Sequence, residues 1–170
     1  MAATIIATAG AVDANAYCTL ITGNAYHSEK RIHSQALWEA LSNDLRNRAI
    51  IWATSLLDDQ ISWSGTKATT TQLLRWPRNN VYDQDGQSVS GSIIPVFLED
   101  ATAEYAYHLS VEDRTEETNR DLIGFKYMKI GDLSLVVDPY TGKPVIPPSV
   151  WTLINPYGTR STKKKTLVRM

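Results

Sequence analysis

Three histidines, one cysteine and a scatter of serines and carboxylates are what this chain of 170 residues has for acid–base, nucleophilic or metal chemistry. A nucleophilic serine needs a base beside it and a sharp turn that exposes its hydroxyl. Ser55, Ser62 and Ser64 stand in no such context, and G-x-S-x-G does not occur. A metal centre needs ligands that a helix or turn brings to one face. His27 and His33 are six residues apart, off a common helical face, and His108 is remote from both. No H-E-x-x-H pattern is present. Asp58-Asp59 and Asp83-Gln84-Asp85-Gly86 offer carboxylates to a divalent ion, but the second stretch lacks the distal Glu of an EF-hand. No glycine loop is shaped to cradle a phosphate. The histidines read as surface residues and the carboxylates as solvated. The expectation is a protein that is not an enzyme, with no catalytic residue, cofactor or metal ligand.

Nucleic-acid binding is the other chemistry the residue types allow. Arg75-Trp76-Pro77-Arg78, with Trp52 and Trp63 nearby in sequence, has the cations and flat rings with which single-strand binders hold phosphates and stack bases. Arg75 and Arg78 are therefore candidate nucleic-acid contacts. The structural alternative is that Trp52, Trp63, Leu74, Trp76 and Pro77 are core staples. The charge pattern favours that alternative. The tail from Thr159 holds Arg160, Lys163, Lys164, Lys165 and Arg169 and no acid, which leaves twelve basic against eighteen acidic residues in 1–158. A groove that tracks a phosphate backbone should be basic. The five tail cations suit DNA or an acidic groove on a partner protein, and the sequence does not choose.

The elements that would position these residues follow from periodicity. Ser42 stands where an N-cap would, with Asp44 in the first turn. Leu45, Ala49, Trp52, Ala53 and Leu56 then recur as one stripe of a helix over about 43–59. Pro77 stops anything helical begun at Gln72. Thr22 is a plausible cap for a short helix through Lys30 with Tyr26 inward, and a second short helix covers 34–41. Residues 79–92 form a polar, turn-rich loop, and Pro95 opens a helix over about 95–110. Leu98, Ala101, Tyr105 and Leu109 line its buried face, with Glu99, Asp100 and Glu104 on the other side.

The charged stretch 111–120 reads as a linker. Residues 121–138 alternate as a strand does, with Gly131-Asp132 as the turn of a β-hairpin. Lys143–Pro148 is a rigid, extended arm, and Ser149 could cap a last helical turn. The fold class is mainly α: a small helical bundle with a C-terminal β-hairpin and an extended C-terminal arm, α+β overall. The divisions are an N-terminal arm (1–15), a helical body (16–110), a hairpin and proline-rich arm (111–158) and a basic tail (159–170). Cys18 alone excludes an internal disulfide. No apolar run reaches the length of a membrane span, and the first residues lack the basic start and apolar length of a signal peptide. A protein made in a reducing cytoplasm fits this.

Several motifs occur together and in order. Ala16-Tyr17-Cys18-Thr19-Leu20 is followed by Asn24-Ala25-Tyr26, then Ala53-Thr54-Ser55-Leu56-Leu57-Asp58, Trp63-x-Gly65, Leu74-x-Trp76-Pro77-Arg78 and Ile94-Pro95. Over roughly residues 16–110 this resembles a phage family described either as DnaT-like single-stranded DNA-binding proteins or as head–tail connector (adaptor) proteins of tailed phages. The resemblance implies a ring of about twelve copies under the portal, extending the DNA channel and giving the tail or nozzle protein its platform. On that reading the partners are the portal protein, the tail protein and genomic DNA sliding through without sequence-specific contact. The place of action is the virion head–tail interface. Arg160, Lys163, Lys164, Lys165 and Arg169 would anchor the tail on the portal or a neighbouring subunit. The alternative is a DnaT-like single-stranded DNA-binding replication protein.

Overall fold

The computed structural model describes residues 3–115, 127–130, 133–136 and 144–161. Its centre is one helix, α4 (Val96–Val111), entered from the extended Pro95. Leu98, Ala101, Thr102, Ala103, Glu104, Tyr105, Ala106 and Leu109 are all buried, so α4 is covered on nearly every side. The small residues Ala101, Ala103 and Ala106 let neighbouring helices come close to its axis.

Three elements cover it. The first is α3 (Asn43–Gln60), whose Ser42 cap accepts from the Leu45 amide at 3.3 Å, as its sequence predicts. The face α3 buries, however, is Ala49, Ile50, Ala53, Thr54 and Leu57. This is the expected stripe rotated by about one position. Leu45 is 47% and Trp52 36% exposed, so Trp52 is not a core staple. The rotation works because Thr54 is satisfied when buried: its hydroxyl donates to the Ile50 carbonyl at 3.0 Å and accepts from the Tyr17 amide at 3.2 Å.

The second cover is α1 (Leu20–Ala25), capped by Thr19 rather than Thr22, running into a π-helical turn (Tyr26–Lys30). A short helix, α2 (Gln35–Glu39), then buries Trp38. The third is α5 (Pro148–Ile154), followed by a 3-10 turn (Asn155–Tyr157). Pro147 stands at its cap and Pro148 in its first turn, so Ser149 does not cap it. The Ser149 hydroxyl instead meets His108 Nε2 at 3.0 Å. Residues 144–148 are not a free arm. Ile146 is buried, the Tyr105 hydroxyl donates to the Val145 carbonyl at 2.9 Å, and Arg114 Nη1 donates to the Pro144 carbonyl at 2.9 Å.

The strands are short. β1 (Ile61–Trp63) pairs antiparallel with β6 (Gly158–Arg160), setting Ile61 opposite Arg160 and Trp63 opposite Gly158. β2 (Thr66–Lys67) pairs with β3 (Arg78–Asn79). The expected hairpin is present as β4 (Tyr127–Ile130) and β5 (Leu133–Val136), with Tyr127 opposite Val136 and Ile130 opposite Leu133. Together, helices and hairpin make the mainly helical α+β architecture. Residues 3–8 form no strand, and Ala3 lies against α3: Asp44 Oδ1 accepts from the Ala3 amide at 2.7 Å, and Asn47 donates to the Ala3 carbonyl at 2.8 Å. Among the described residues no helix is long and apolar enough to cross a membrane.

Candidate nucleic-acid interface and the motif knot

Several motifs that were separate in sequence meet in one knot, those of Tyr17, Asp58, Trp63-x-Gly65 and Arg75–Arg78. Tyr17 lies fully buried against the C-terminal end of α3, and its hydroxyl donates to Asp58 Oδ1. The same hydroxyl accepts from the Arg75 and Trp76 amides at 3.2 and 3.3 Å. Asp58 Oδ2 accepts from the Arg75 amide at 3.0 Å. Burial pushes the Asp58 carboxyl above its ordinary value, opposed by the Tyr17 and Arg75 bonds. Burial, then the nearby Asp58 charge, raises the Tyr17 phenol well above its own. Asp58 is thus committed to the chain's own donors and is not a free metal ligand.

Above the knot the Trp76–Pro77 peptide is cis and both residues are buried. The Trp76 ring stands edge-on to Trp63 at 5.7 Å and to Phe97 at 5.5 Å, and Phe97 stacks on Tyr157 at 3.8 Å. Trp63 is 7% and Trp76 1% exposed, so neither ring is open to a base. The staple reading holds for both.

Arg78 closes the same turn. Its Nε donates to the Ser64 carbonyl at 2.6 Å, Nη2 to the Gly65 carbonyl at 2.6 Å and Nη1 to the Arg75 carbonyl at 3.1 Å. This is a planar five-donor fork holding backbone together. Burial pulls the Arg78 guanidinium below its usual value. Gly65 is required here: its φ is +68°, and a Cβ would lie 2.2 Å from the Asn79 carbonyl oxygen. Arg75 is exposed, with Nη1 reaching the Ile61 carbonyl at 3.4 Å. Of the two candidate contacts, Arg75 is exposed and Arg78 half-buried.

The remaining candidates are dispersed. Arg160 lies in β6 with its guanidinium 4.8 Å from the centre of the Trp151 ring, a cation–π contact. Lys163, Lys164, Lys165 and Arg169 lie outside the described residues. Asp83 ties its own loop, accepting at Oδ1 from the Asp85 and Gln87 amides at 3.0 and 2.7 Å. Among the described residues no group of three or more His, Cys, Asp or Glu is placed to hold a metal.

Two expectations about surface charge need correction. His27 is not a surface residue. It is fully buried, with Nδ1 2.7 Å from the Ser34 hydroxyl and Nε2 3.2 Å from the Ala103 carbonyl. A carbonyl only accepts, so Nε2 carries the proton and Nδ1 accepts from Ser34. Burial lowers the pKa of this imidazole to about 4. Glu104 is 1% exposed rather than outward-facing, because partners come to it: the Arg31 guanidinium at 2.9 Å, the His108 ring at 3.3 Å and the Tyr26 hydroxyl at 3.2 Å. Burial alone would raise its carboxyl. The bonds from His108 and Ser149 and the Arg31 charge outweigh that and hold it below the ordinary value. Neither residue was legible in sequence, since Ser34 and Ala103 for His27, and Arg31 and Tyr26 for Glu104, sit on other elements.

One surface feature was missed. Leu41, Leu45, Arg48, Ala49, Trp52, Leu109 and Ser110 line an open groove of about 460 Å³ between α3 and the end of α4. Trp52 lies in it with Arg48 one turn earlier on α3, and Arg48 pairs with Asp44. The signal was present: Leu45 and Trp52 share a stripe that the buried face of α3 leaves aside.

No curated protein and no solved structure matches the chain. A family described as "Putative DnaT-like ssDNA binding protein" matches it over residues 1–170, well beyond the stretch that carries the motifs. With the match running the whole length, the chain belongs to this DnaT-like single-stranded DNA-binding protein family.

Proposed function

We propose that this family member acts in assembly, as a head–tail connector of a tailed phage that forms a ring on the portal and gives the tail its platform. The observation that carries the reading is the inward use of Trp63, Trp76 and Pro77, with the Arg78 guanidinium bonded to the chain's own carbonyls. Trp63 and Trp76 are core, and the Arg78 guanidinium is committed to carbonyls of its own turn. In residues 1–158 twelve basic residues stand against eighteen acidic ones, and an acidic body suits DNA that must slide without sticking. Ring, portal contact and copy number come from the resemblance and stand as proposals.

The family's description favours the second reading, single-strand binding. In this structure that reading draws support from the Trp52 groove, where a part-exposed indole lies one turn from Arg48. One experiment separates the two. The purified chain is weighed in solution alone and with the portal ring, and titrated with a fluorescent single-stranded oligonucleotide at two salt concentrations. Association with the portal and negligible oligonucleotide binding supports the connector. Tight binding that collapses at high salt, without portal association, supports the family's description and removes the connector.

A further inference from the structure

The contact between Phe97 and Tyr157 differs from the ring contacts beside it. Trp63 on Trp76, and Trp76 on Phe97, meet edge to face at 86° and 81°. Tyr157 instead lies parallel to Phe97, with 8° between the planes and 3.8 Å between centres. The parallel arrangement is also the one a nucleobase takes on an aromatic side chain in single-strand binders. Both rings are half-buried, and the buried Trp76 supports Phe97 edge-on. Lifting Tyr157 would open one face of Phe97.

Tyr157 belongs to a short strap, residues 155–161, made of the 3-10 turn and β6. The three-residue ladder to β1 holds it, with the Ser64 amide donating to the Tyr157 carbonyl at 2.9 Å and the Ser161 amide to the Gln60 carbonyl at 2.8 Å. The preceding α5 is anchored separately by buried Val150 and Ile154, so release of the strap does not require α5 to move. A ladder this short opens at a fraction of the global unfolding free energy. Under the strap lie Ile61, Trp63 and the stacked face of Phe97. Exposed Arg75 stands beside the same strand, with Nη1 reaching the Ile61 carbonyl at 3.4 Å. Aromatic faces with a cation beside them are the parts a single-strand site needs.

We propose that the strap is an autoinhibitory contact: Tyr157 occupies the Phe97 face on which a base of single-stranded DNA stacks when the strap is displaced. The inference rests on the single-strand reading and supplies its regulation, at Phe97 rather than in the Trp52 groove. It reconciles rings that face inward with a family described as binding single strands. A closed strap lowers the apparent affinity by the fraction of molecules that are open. A bound strand covers again the apolar surface that release exposes.

The test is titration of the full chain and its variants with a fluorescent oligothymidylate at two salt concentrations. Tyr157→Ala takes the ring off Phe97 and should tighten binding about tenfold. Gly158→Val puts a Cβ 2.7 Å from Ile61 Cγ2 and 3.1 Å from the Ser62 carbonyl oxygen, pushing β6 off β1. It should tighten binding by a similar factor. Adding Phe97→Leu to Tyr157→Ala should cancel the gain, whereas adding Trp52→Ala should leave it. The helical spectrum is followed throughout; if Gly158→Val disturbs it, Tyr157→Ala and its Phe97→Leu partner decide alone. Variants that bind no tighter than the intact chain, or a gain that survives Phe97→Leu, overturn the proposal and make the stack ordinary core packing. Tight binding by the intact chain with no gain in the variants leaves the single-strand reading standing without its strap. Binding by no form removes both and leaves the connector role untouched.

Discussion

The Tyr17 hydroxyl donates to the Asp58 carboxylate while accepting from the Arg75 and Trp76 amides, so one oxygen ties the start of the domain to the end of α3 and to the Trp76–Pro77 turn. Tyr17→Phe leaves a buried carboxylate oxygen and the Trp76 amide without this partner. A loss of about 2–3 kcal/mol in urea unfolding is expected. A loss below about 0.5 kcal/mol would mean that water replaces the hydroxyl.

Trp76 and Trp52 should separate cleanly. Trp76→Ala removes a fully buried ring in edge contact with Trp63 and Phe97 and should cost about 3–5 kcal/mol. Trp52→Ala, at a part-exposed position, should cost about 1 kcal/mol or less. The same denaturation series reads both, and equal losses would contradict the rotated face of α3.

Gly65→Ala places a Cβ 2.2 Å from the Asn79 carbonyl oxygen at a positive φ. It should destabilise by about 3 kcal/mol or more. Arg78→Lys keeps the charge but loses the fork that meets the Ser64, Gly65 and Arg75 carbonyls. It should lower the melting temperature without changing oligonucleotide affinity at either salt concentration. The reverse pattern would make Arg78 a nucleic-acid contact.

His27 gives the protein an acid-side instability. The unfolded imidazole takes a proton near its ordinary value, whereas the buried one resists until about 4. Above the unfolded value both states are neutral and stability is independent of this group. As pH falls from there toward about 4, the unfolded state binds the extra proton and stability drops, by up to about 1.4 kcal/mol per pH unit and about 3 kcal/mol in all. Melting followed by calorimetry across this window should show the slope, and His27→Gln should flatten it.

The tail should be separable from the fold only beyond its strand. Deleting 162–170 removes Lys163, Lys164, Lys165 and Arg169 and should leave melting unchanged while abolishing incorporation into particles. Deleting 158–170 also removes β6, uncovering Ile61 and Trp63. It should lower the melting temperature. Normal incorporation of the shorter deletion would refute the anchoring role.

How much of this was legible in the sequence depended on how local the cause was. The 43–59 helix, its Ser42 cap and the helix after Pro95 come from spacing and capping within one segment and appear within a residue or two; the hairpin read over 121–138 is present as two shorter strands, 127–130 and 133–136. The face that α3 buries was misread because Leu45 and Trp52 are apolar on a helix whose partner chooses another side. The β1–β6 ladder, buried His27 and buried Glu104 depend on residues far away in the chain, such as Ala103 for His27. Trp63, Trp76 and Arg78 were placed together by their motif, but only the geometry shows the arginine facing its own backbone.

The position of α5 and β6 also governs the order in which the molecule can form as it is made. Ile146, Val150 and Ile154 lie in the core beside α4, and Gly158 is the partner of Trp63. A nascent chain that has emerged only as far as α4 therefore shows the α5-facing side of that helix to solvent. Final packing waits for residues about fifty positions further on. A fragment ending at residue 110, the limit suggested by the sequence motifs, would be an aggregation-prone intermediate rather than a domain.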